Sequence, residues 1–195
     1  MKKILFALVA STAALAGTSA YAADDAGTAY IGAGVVGSHY KFDVPNATST
    51  SDRSGDKATG KIFAGYNFDK TWAIEGGYTD FGKKGYDYTI GGAPGHVQTK
   101  ADSLYLAGKG TYTVNDQVAV FGKLGVARNH NDVTTSGIAS VSGDSNKSAL
   151  YASVGAEYAI NKNVKVSLEY ENYGKNNIDL GRKNSAITAG VRYNF

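Results

Sequence analysis

A chain of 195 residues with no cysteine, 20 Lys and Arg, 17 Asp and Glu and a formal charge of +3 is sized for one domain and has no disulfide to close it. Without Lys2 and Lys3 the basic count falls from 20 to 18 against 17 acids, so there is no basic patch and no case for nucleic acid.

Residues 1–22 read as a signal peptide. Lys2 and Lys3 form a basic start, Ile4 to Gly17 is a mostly apolar run, and Ala20-Tyr21-Ala22 is an A-x-A cleavage site. The run is too short for a spanning helix, which takes about 20 apolar residues. Export is therefore expected, with a mature barrel domain at 23–195. Nothing in that stretch is apolar enough for a spanning helix. If the chain crosses a membrane it does so as a closed barrel, the other structure that satisfies every backbone group. Abundant Gly (25) and Tyr (14), with two prolines, suit a strand-rich chain.

Eight alternating segments follow, near Gly27–Tyr40, Lys57–Phe68, Thr71–Gly82, Thr99–Val114, Gln117–Asn129, Ser148–Ile160, Val164–Gly174 and Asn184–Phe195. Each has a core of about ten alternating residues, close to the ~9–11 that cross a bilayer at a tilt. Asp69-Lys70, Asn115-Asp116 and Asn161-Lys162-Asn163 read as tight turns. The connections near 41–56, 83–98, 130–147 and 175–183 are long and rich in Gly, Ser, Asn, Asp and Lys. Short and long connections alternate throughout, as in outer-membrane barrels with tight periplasmic turns and long external loops. Greek-key connections of a β-sandwich give no reason for that alternation. A lipocalin-like barrel shares the meander but has an apolar interior.

The faces separate the two barrels. In the third segment Trp72, Ile74 and Tyr78 oppose Ala73, Glu75 and Thr79. In the fourth, Leu104, Leu106, Tyr112 and Val114 oppose Tyr105, Lys109, Thr111 and Thr113. Val118, Val120, Leu124 and Val126 oppose Phe121 and Lys123 in the fifth. Leu150, Val154, Tyr158 and Ile160 oppose Tyr151, Ser153, Glu157 and Ala159 in the sixth. The seventh sets Val164, Val166, Leu168 and Tyr170 against Lys165, Ser167, Glu169 and Glu171. The last sets Ile187, Ala189, Val191, Tyr193 and Phe195 against Ala186, Thr188, Gly190, Arg192 and Asn194. Mid-strand charges recur opposite the apolar face, which is an inside-out pattern. The expected fold is all-β, an eight-stranded antiparallel up-and-down transmembrane β-barrel.

That fold makes Glu75, Lys109, Lys123, Glu157, Glu169 and Arg192 the expected interior charges. A bore of eight strands is only wide enough for side chains to fill. Three acids and three bases balance, and they are expected to pair, because an unpaired buried charge costs several kcal/mol. On this reading Glu169→Ala strands a base at a cost of about 3–5 kcal/mol. Phe68, Trp72, Tyr112, Tyr158, Tyr193 and Phe195 lie near a short turn or the C-terminus on the apolar face, and are expected to form a periplasmic aromatic girdle.

Several stretches carry a family resemblance. Ala73-Ile74-Glu75-Gly76-Gly77-Tyr78, Leu106-Ala107-Gly108-Lys109, Glu157-Tyr158-Ala159-Ile160, and Leu168-Glu169-Tyr170 followed by Asn176-Asn177-Ile178 resemble the transmembrane domain of the outer-membrane protein A family. The closing Gly190-Val191-Arg192-Tyr193-Asn194-Phe195 is similar in kind, and the resemblance runs in order over the whole mature chain. It implies an eight-stranded barrel in the bacterial outer membrane, with external loops and no cofactor. It also implies a final Phe195 read by the barrel-insertion machinery, and an interior that is discussed as a gated ion path. Many members carry a periplasmic peptidoglycan-binding domain. This chain stops at the barrel, so that role is expected to be absent. Gly34 stands in the first segment where the family often has an interior lysine.

The expected role is structural or surface interaction, with four external loops meeting lipopolysaccharide, host surface molecules or phage, and outer-membrane lipid around the wall. The alternative is a low-conductance pore with a charged lumen. Enzymatic action is the remote reading. His39, His96 and His130 lie at strand ends or in loops, Ser38 and Asp132 beside them form no constellation, and there is no nucleophile elbow or metal spacing. No catalytic, metal or cofactor residue is expected.

Overall fold

The alternation closes on itself as a barrel. The computed structural model describes residues 26–41, 54–90, 92–137, 142–174 and 181–195. The expected signal peptide and its cleavage site lie outside the described residues. The strands are β1 (Thr28–Lys41), β2 (Ser54–Asn67), β3 (Trp72–Ile90), β4 (Ala93–Thr113), β5 (Val118–Gly137), β6 (Ser142–Ala159), β7 (Val164–Asn172) and β8 (Gly181–Asn194). Each pairs antiparallel with its sequence neighbours, and β1 pairs with β8, so all eight form one closed barrel. Closure removes every sheet edge from the wall, and so needs no disulfide.

Three turns at one end share one construction. Asp69 Oδ1 accepts the N–H groups of Thr71 and Trp72 at 2.7 and 2.8 Å. Asn115 Oδ1 does the same for Gln117 and Val118 at 2.9 and 2.8 Å, and Asn161 Oδ1 for Asn163 and Val164 at 2.9 and 2.8 Å. A short Asx side chain substitutes for a backbone turn bond, which is why Asp or Asn opens each of these connections. The described N-terminal end and the C-terminus sit at this same end. Gly27 N–H donates to the Asn67 carbonyl at 2.9 Å, and Phe195 N–H to that of Ala29 at 3.0 Å.

The other end departs from the expected loops. Pairing of β3 with β4 runs on from Gly82↔Ala101 to Ile90↔Ala93, so 83–98 is a long hairpin. Pairing of β5 with β6 continues to Thr134↔Ser142, so 130–147 is mostly strand as well. The polar composition of these stretches hid a surviving alternation: Tyr86, Val97 and Thr99 are buried while Lys83, Asp87 and His96 are on the opposite face. The expected connections at 41–56 and 175–183 fall largely outside the described residues.

The barrel is packed from inside by aromatic rings laid over glycines. A Cβ on Gly65 would stand 2.3 Å from the Tyr30 ring, and one on Gly32 would stand 2.3 Å from the Phe63 ring. These are reciprocal pairs, since Tyr30 faces Gly65 and Gly32 faces Phe63 across β1 and β2. The absent side chains make room for the rings beside the wall. Outside, Ile62, Leu104, Leu106, Leu124, Val126, Leu150, Val154 and Leu168 are each more than half exposed. A continuous belt of this kind is unfavourable in water and suits hydrocarbon.

Candidate functional site

The bore is where the chain concentrates its charged side chains. Strand alternation turns Glu75 of β3, Lys109 of β4, Lys123 of β5, Glu157 of β6, Glu169 of β7 and Arg192 of β8 inward, and none is more than 6% exposed. Two further charges lie with them, Lys61 of β2 and Glu171 of β7. The expected balance of three acids and three bases is therefore corrected to four and four, with Lys165 nearby and 12% exposed at its side chain. Both additions were legible by parity. Glu171 follows Glu169 on one face, and Lys61 precedes Phe63 on the other strand's inner face. Lys61 is moreover the register partner of Gly34. The interior lysine that the first segment lacks stands on the adjacent strand.

The charges form two groups. Towards the short-turn end, Glu157 takes Lys109 Nζ at 2.8 Å and Arg192 Nη2 at 3.1 Å, with Lys165 at 3.9 Å. Deeper in, Lys123 Nζ lies 2.7 Å from Glu75 and 2.9 Å from Glu169. Lys61 pairs with Glu171 and lies 3.6 Å from Glu169. Phenol hydroxyls fill the remaining acceptor positions. Tyr30 and Tyr105 donate to Glu75 at 2.9 and 2.6 Å, and Tyr151 and Tyr173 to Glu171 at 2.6 and 3.0 Å. Thr188 Oγ1 also donates to Glu171. Tyr30 touches both groups, because Arg192 lies over its ring at 4.6 Å. Lys109 sits 4.4 Å over Phe121 and Lys61 4.5 Å over Tyr105, so aromatic faces support the cations where no carboxylate does. This arrangement fills and registers a narrow bore.

Towards the long-hairpin end the bore narrows to stacked rings. Tyr105 and Tyr151 stack at 4.5 Å, Tyr151 meets Tyr173 at 5.2 Å, and Phe81 meets Tyr173 edge-on at 5.1 Å. These aromatics were not among the expected interior residues, since only the charges were followed.

All six residues of the expected girdle lie on the outer face by the short turns. Phe68, Trp72, Tyr112 and Phe195 are 59 to 72% exposed, with Tyr158 and Tyr193 each at 45%. Tyr66 joins them against Phe68 at 5.6 Å. Tyr78 and Tyr170 face outward nearer the other end of their strands.

The histidines sit on three different strand pairs. His39 contacts Asp56 at 2.8 Å, His96 contacts Asp87 at 2.5 Å, and His130 contacts Asp132 at 3.2 Å. Ser136, His96 and Asp87 share one cross-strand row. The ring nevertheless turns towards β3: a Cβ on Gly85 would lie 3.2 Å from its Nε2, which faces away from Ser136. Ser38 points inward, with its hydroxyl on the Lys57 carbonyl at 3.5 Å, and does not meet His39. Among the described residues no group of three or more His, Cys, Asp or Glu is placed to hold a metal.

Comparisons with known proteins agree with this geometry. The family model described as outer membrane protein beta-barrel domain matches residues 6–195. Outer membrane protein A of Serratia marcescens is 29% identical over 214 residues, covering all of this chain and 56% of that protein. The chain thus spans little more than half the length of that relative. Among solved structures, Ail, the attachment invasion locus protein of Yersinia pestis, superposes with a TM-score of 0.57 at 16% identity, over 87% of this chain and 99% of that one. OprG of Pseudomonas aeruginosa superposes with a TM-score of 0.54 at 12% identity, over 90% of this chain and 99% of that one. At such identities the likeness speaks for the fold.

Proposed function

This chain belongs to the outer membrane protein β-barrel domain family, and from that premise we propose that it is a structural and surface-interaction protein of the bacterial outer membrane. The location in that membrane follows from the family. The particular role is our reading, and one contrast supports it most. The bore is occupied by paired charges and stacked rings, whereas the hairpins of β3–β4 and β5–β6 carry their polar side chains well past the apolar belt. In this family's topology the tight turns face the periplasm and the long hairpins face out. The aromatics at the turn end then form the periplasmic girdle, and lipopolysaccharide surrounds the outer rim. Host surface molecules are the soluble partners that the hairpins would meet. We place a signal peptide at 1–22 and assign Phe195 to recognition by the insertion machinery.

A specific observation favours a second reading, a low-conductance pore. Lys61 stands between two carboxylates, bonded to Glu171 and 3.6 Å from Glu169, so it has somewhere to move. One experiment separates the two. Replacing 83–98 by a short turn should leave a barrel that inserts and shows no current in planar bilayers, and should abolish binding of producing cells to host-cell surfaces. Steady single-channel currents from the unaltered barrel, with cell binding unchanged by the replacement, would overturn the structural reading in favour of the pore.

A further inference from the structure

Phe81 closes the bore from the hairpin side, and the backbone is shaped to put it there. Pairing of β2 with β3 ends at Lys61↔Thr79, so beyond that point β3 is flanked by β4 alone. The register with β4 then passes from Asp80↔Asp102 to Gly82↔Ala101, which leaves Phe81 as the extra residue of a β-bulge. Gly82 has φ 71°, a conformation that side chains disfavour, and Asp80 Oδ1 holds its N–H at 2.7 Å. Before the bulge the inward residues are odd-numbered; after it Tyr86 is inward. The switch lets one strand deliver two bulky rings to the bore, at Phe81 and Tyr86. Lys57 of β2 donates to the Lys83 carbonyl just past the bulge, which ties the departing strand back to the wall.

Phe81 is fully buried with its ring on Tyr173, whose hydroxyl contacts Thr79 at 2.9 Å and Glu171 at 3.0 Å. The ring therefore rests on the layer that caps the ion pairs. Beside it the wall is polar and unsatisfied. Thr99 Oγ1, Ser103 Oγ and Asn129 Oδ1 are buried without a hydrogen-bond partner among the described residues. Thr99 and Ser103 share the inner face of β4, and Ser103 is the register partner of Asn129. Buried hydroxyl and amide oxygens of this kind are ordinarily met by water.

We propose that Phe81 is the outer seal of the lumen, separating a hydrated polar compartment around Ser103 from the exterior. The seal rests on the outward orientation of the hairpins argued above, and it holds whether or not the barrel conducts. Its test uses the absence of native cysteine. Ser103→Cys introduces a single thiol into the compartment, and Thr134→Cys introduces one on the exposed outer face of β5. A cationic methanethiosulfonate is added to the refolded barrel in micelles; the thiolate forms a mixed disulfide and methanesulfinate leaves. Phe81→Ala should speed modification at Ser103→Cys by about tenfold or more, because access governs the rate there. Phe81→Leu, which keeps the bulk, should leave it slow, and Thr134→Cys should react at one rate in every background. Folding of each variant is read from its heat-dependent gel migration, and Phe81→Val serves in place of Phe81→Ala should the latter not refold. Equal rates at Ser103→Cys with and without the ring, fast or slow, would overturn the seal. A conducting barrel would overturn the structural role and leave this comparison intact.

Discussion

Glu157→Gln should weaken the barrel far more than the same change at Glu169. Glu157 is the single carboxylate on which Lys109 and Arg192 converge, at 2.8 and 3.1 Å. Lys109 has no other acceptor among the described residues, so the substitution leaves a buried ammonium facing an amide. Breaking one buried pair by removing a partner costs about 3–5 kcal/mol. Gln keeps one acceptor oxygen, which points to the lower part of that range, about 3 kcal/mol. Glu169 is covered differently. Without it Lys123 keeps Glu75 at 2.7 Å, and Lys61 keeps Glu171. Only one charge-assisted contact is lost, worth about 1–2 kcal/mol, so the sequence-based expectation that losing Glu169 strands a base is revised. The assay is urea unfolding of the refolded barrel in micelles, followed by fluorescence of Trp72, the chain's one tryptophan. Adding Lys109→Met to Glu157→Gln should recover part of the loss, since no unpaired ammonium then remains. Equal losses at the two positions, or losses below about 1 kcal/mol at both, would mean that water screens the whole network, and the argument from redundancy would fail.

Two further outcomes follow from packing and orientation. In Gly65→Ala the new methyl would stand 2.3 Å from the Tyr30 ring and 2.6 Å from the Ile74 carbonyl oxygen, so backbone must yield; a loss of about 2 kcal/mol is expected in the same urea assay. Gly60→Ala meets nothing within 4 Å and should change stability by less than about 0.5 kcal/mol. Trp72, 61% exposed on the outer face by a short turn, should be quenched more by lipids brominated near the headgroup than by lipids brominated at mid-chain.

The wall of the barrel was legible because alternation is a local property. Any strand with one lipid-facing side writes its period into five or six residues, as Ile187 to Phe195 does. Strand ends were less legible, since in the outer hairpins the alternation persists with polar residues on both faces and only Tyr86, Val97 and Val133 mark the inside. The lumen was legible in part. Mid-strand charges such as Glu75 and Lys123 stand out against apolar neighbours. Lys61 does not, because Gly60 and Lys61 read as the polar shoulder of a strand until the register sets Lys61 opposite Gly34. Which acid holds which base depends on partners more than a hundred residues apart, as with Lys61 and Glu171, and no local pattern encodes that.

The position of Lys61 also bears on what the barrel can do. A path for ions requires pairs that separate without leaving a bare charge in the bore. At the periplasmic end that condition is not met for Lys109, whose one acceptor is Glu157. At the outer end it is met: Lys61 can pass between Glu171 and Glu169, while Tyr151 reaches both at 2.6 and 3.3 Å and Lys123 holds Glu169 throughout. The adaptable half of the network therefore lies beneath the hairpins, joined to them through Tyr173 and Phe81. The fixed half lies by the short turns, where the girdle meets the inner lipid face. A wall anchored at one end and yielding at the other matches a protein whose contacts are made outside the cell, and it confines any rearrangement of the lumen to the side where those contacts form.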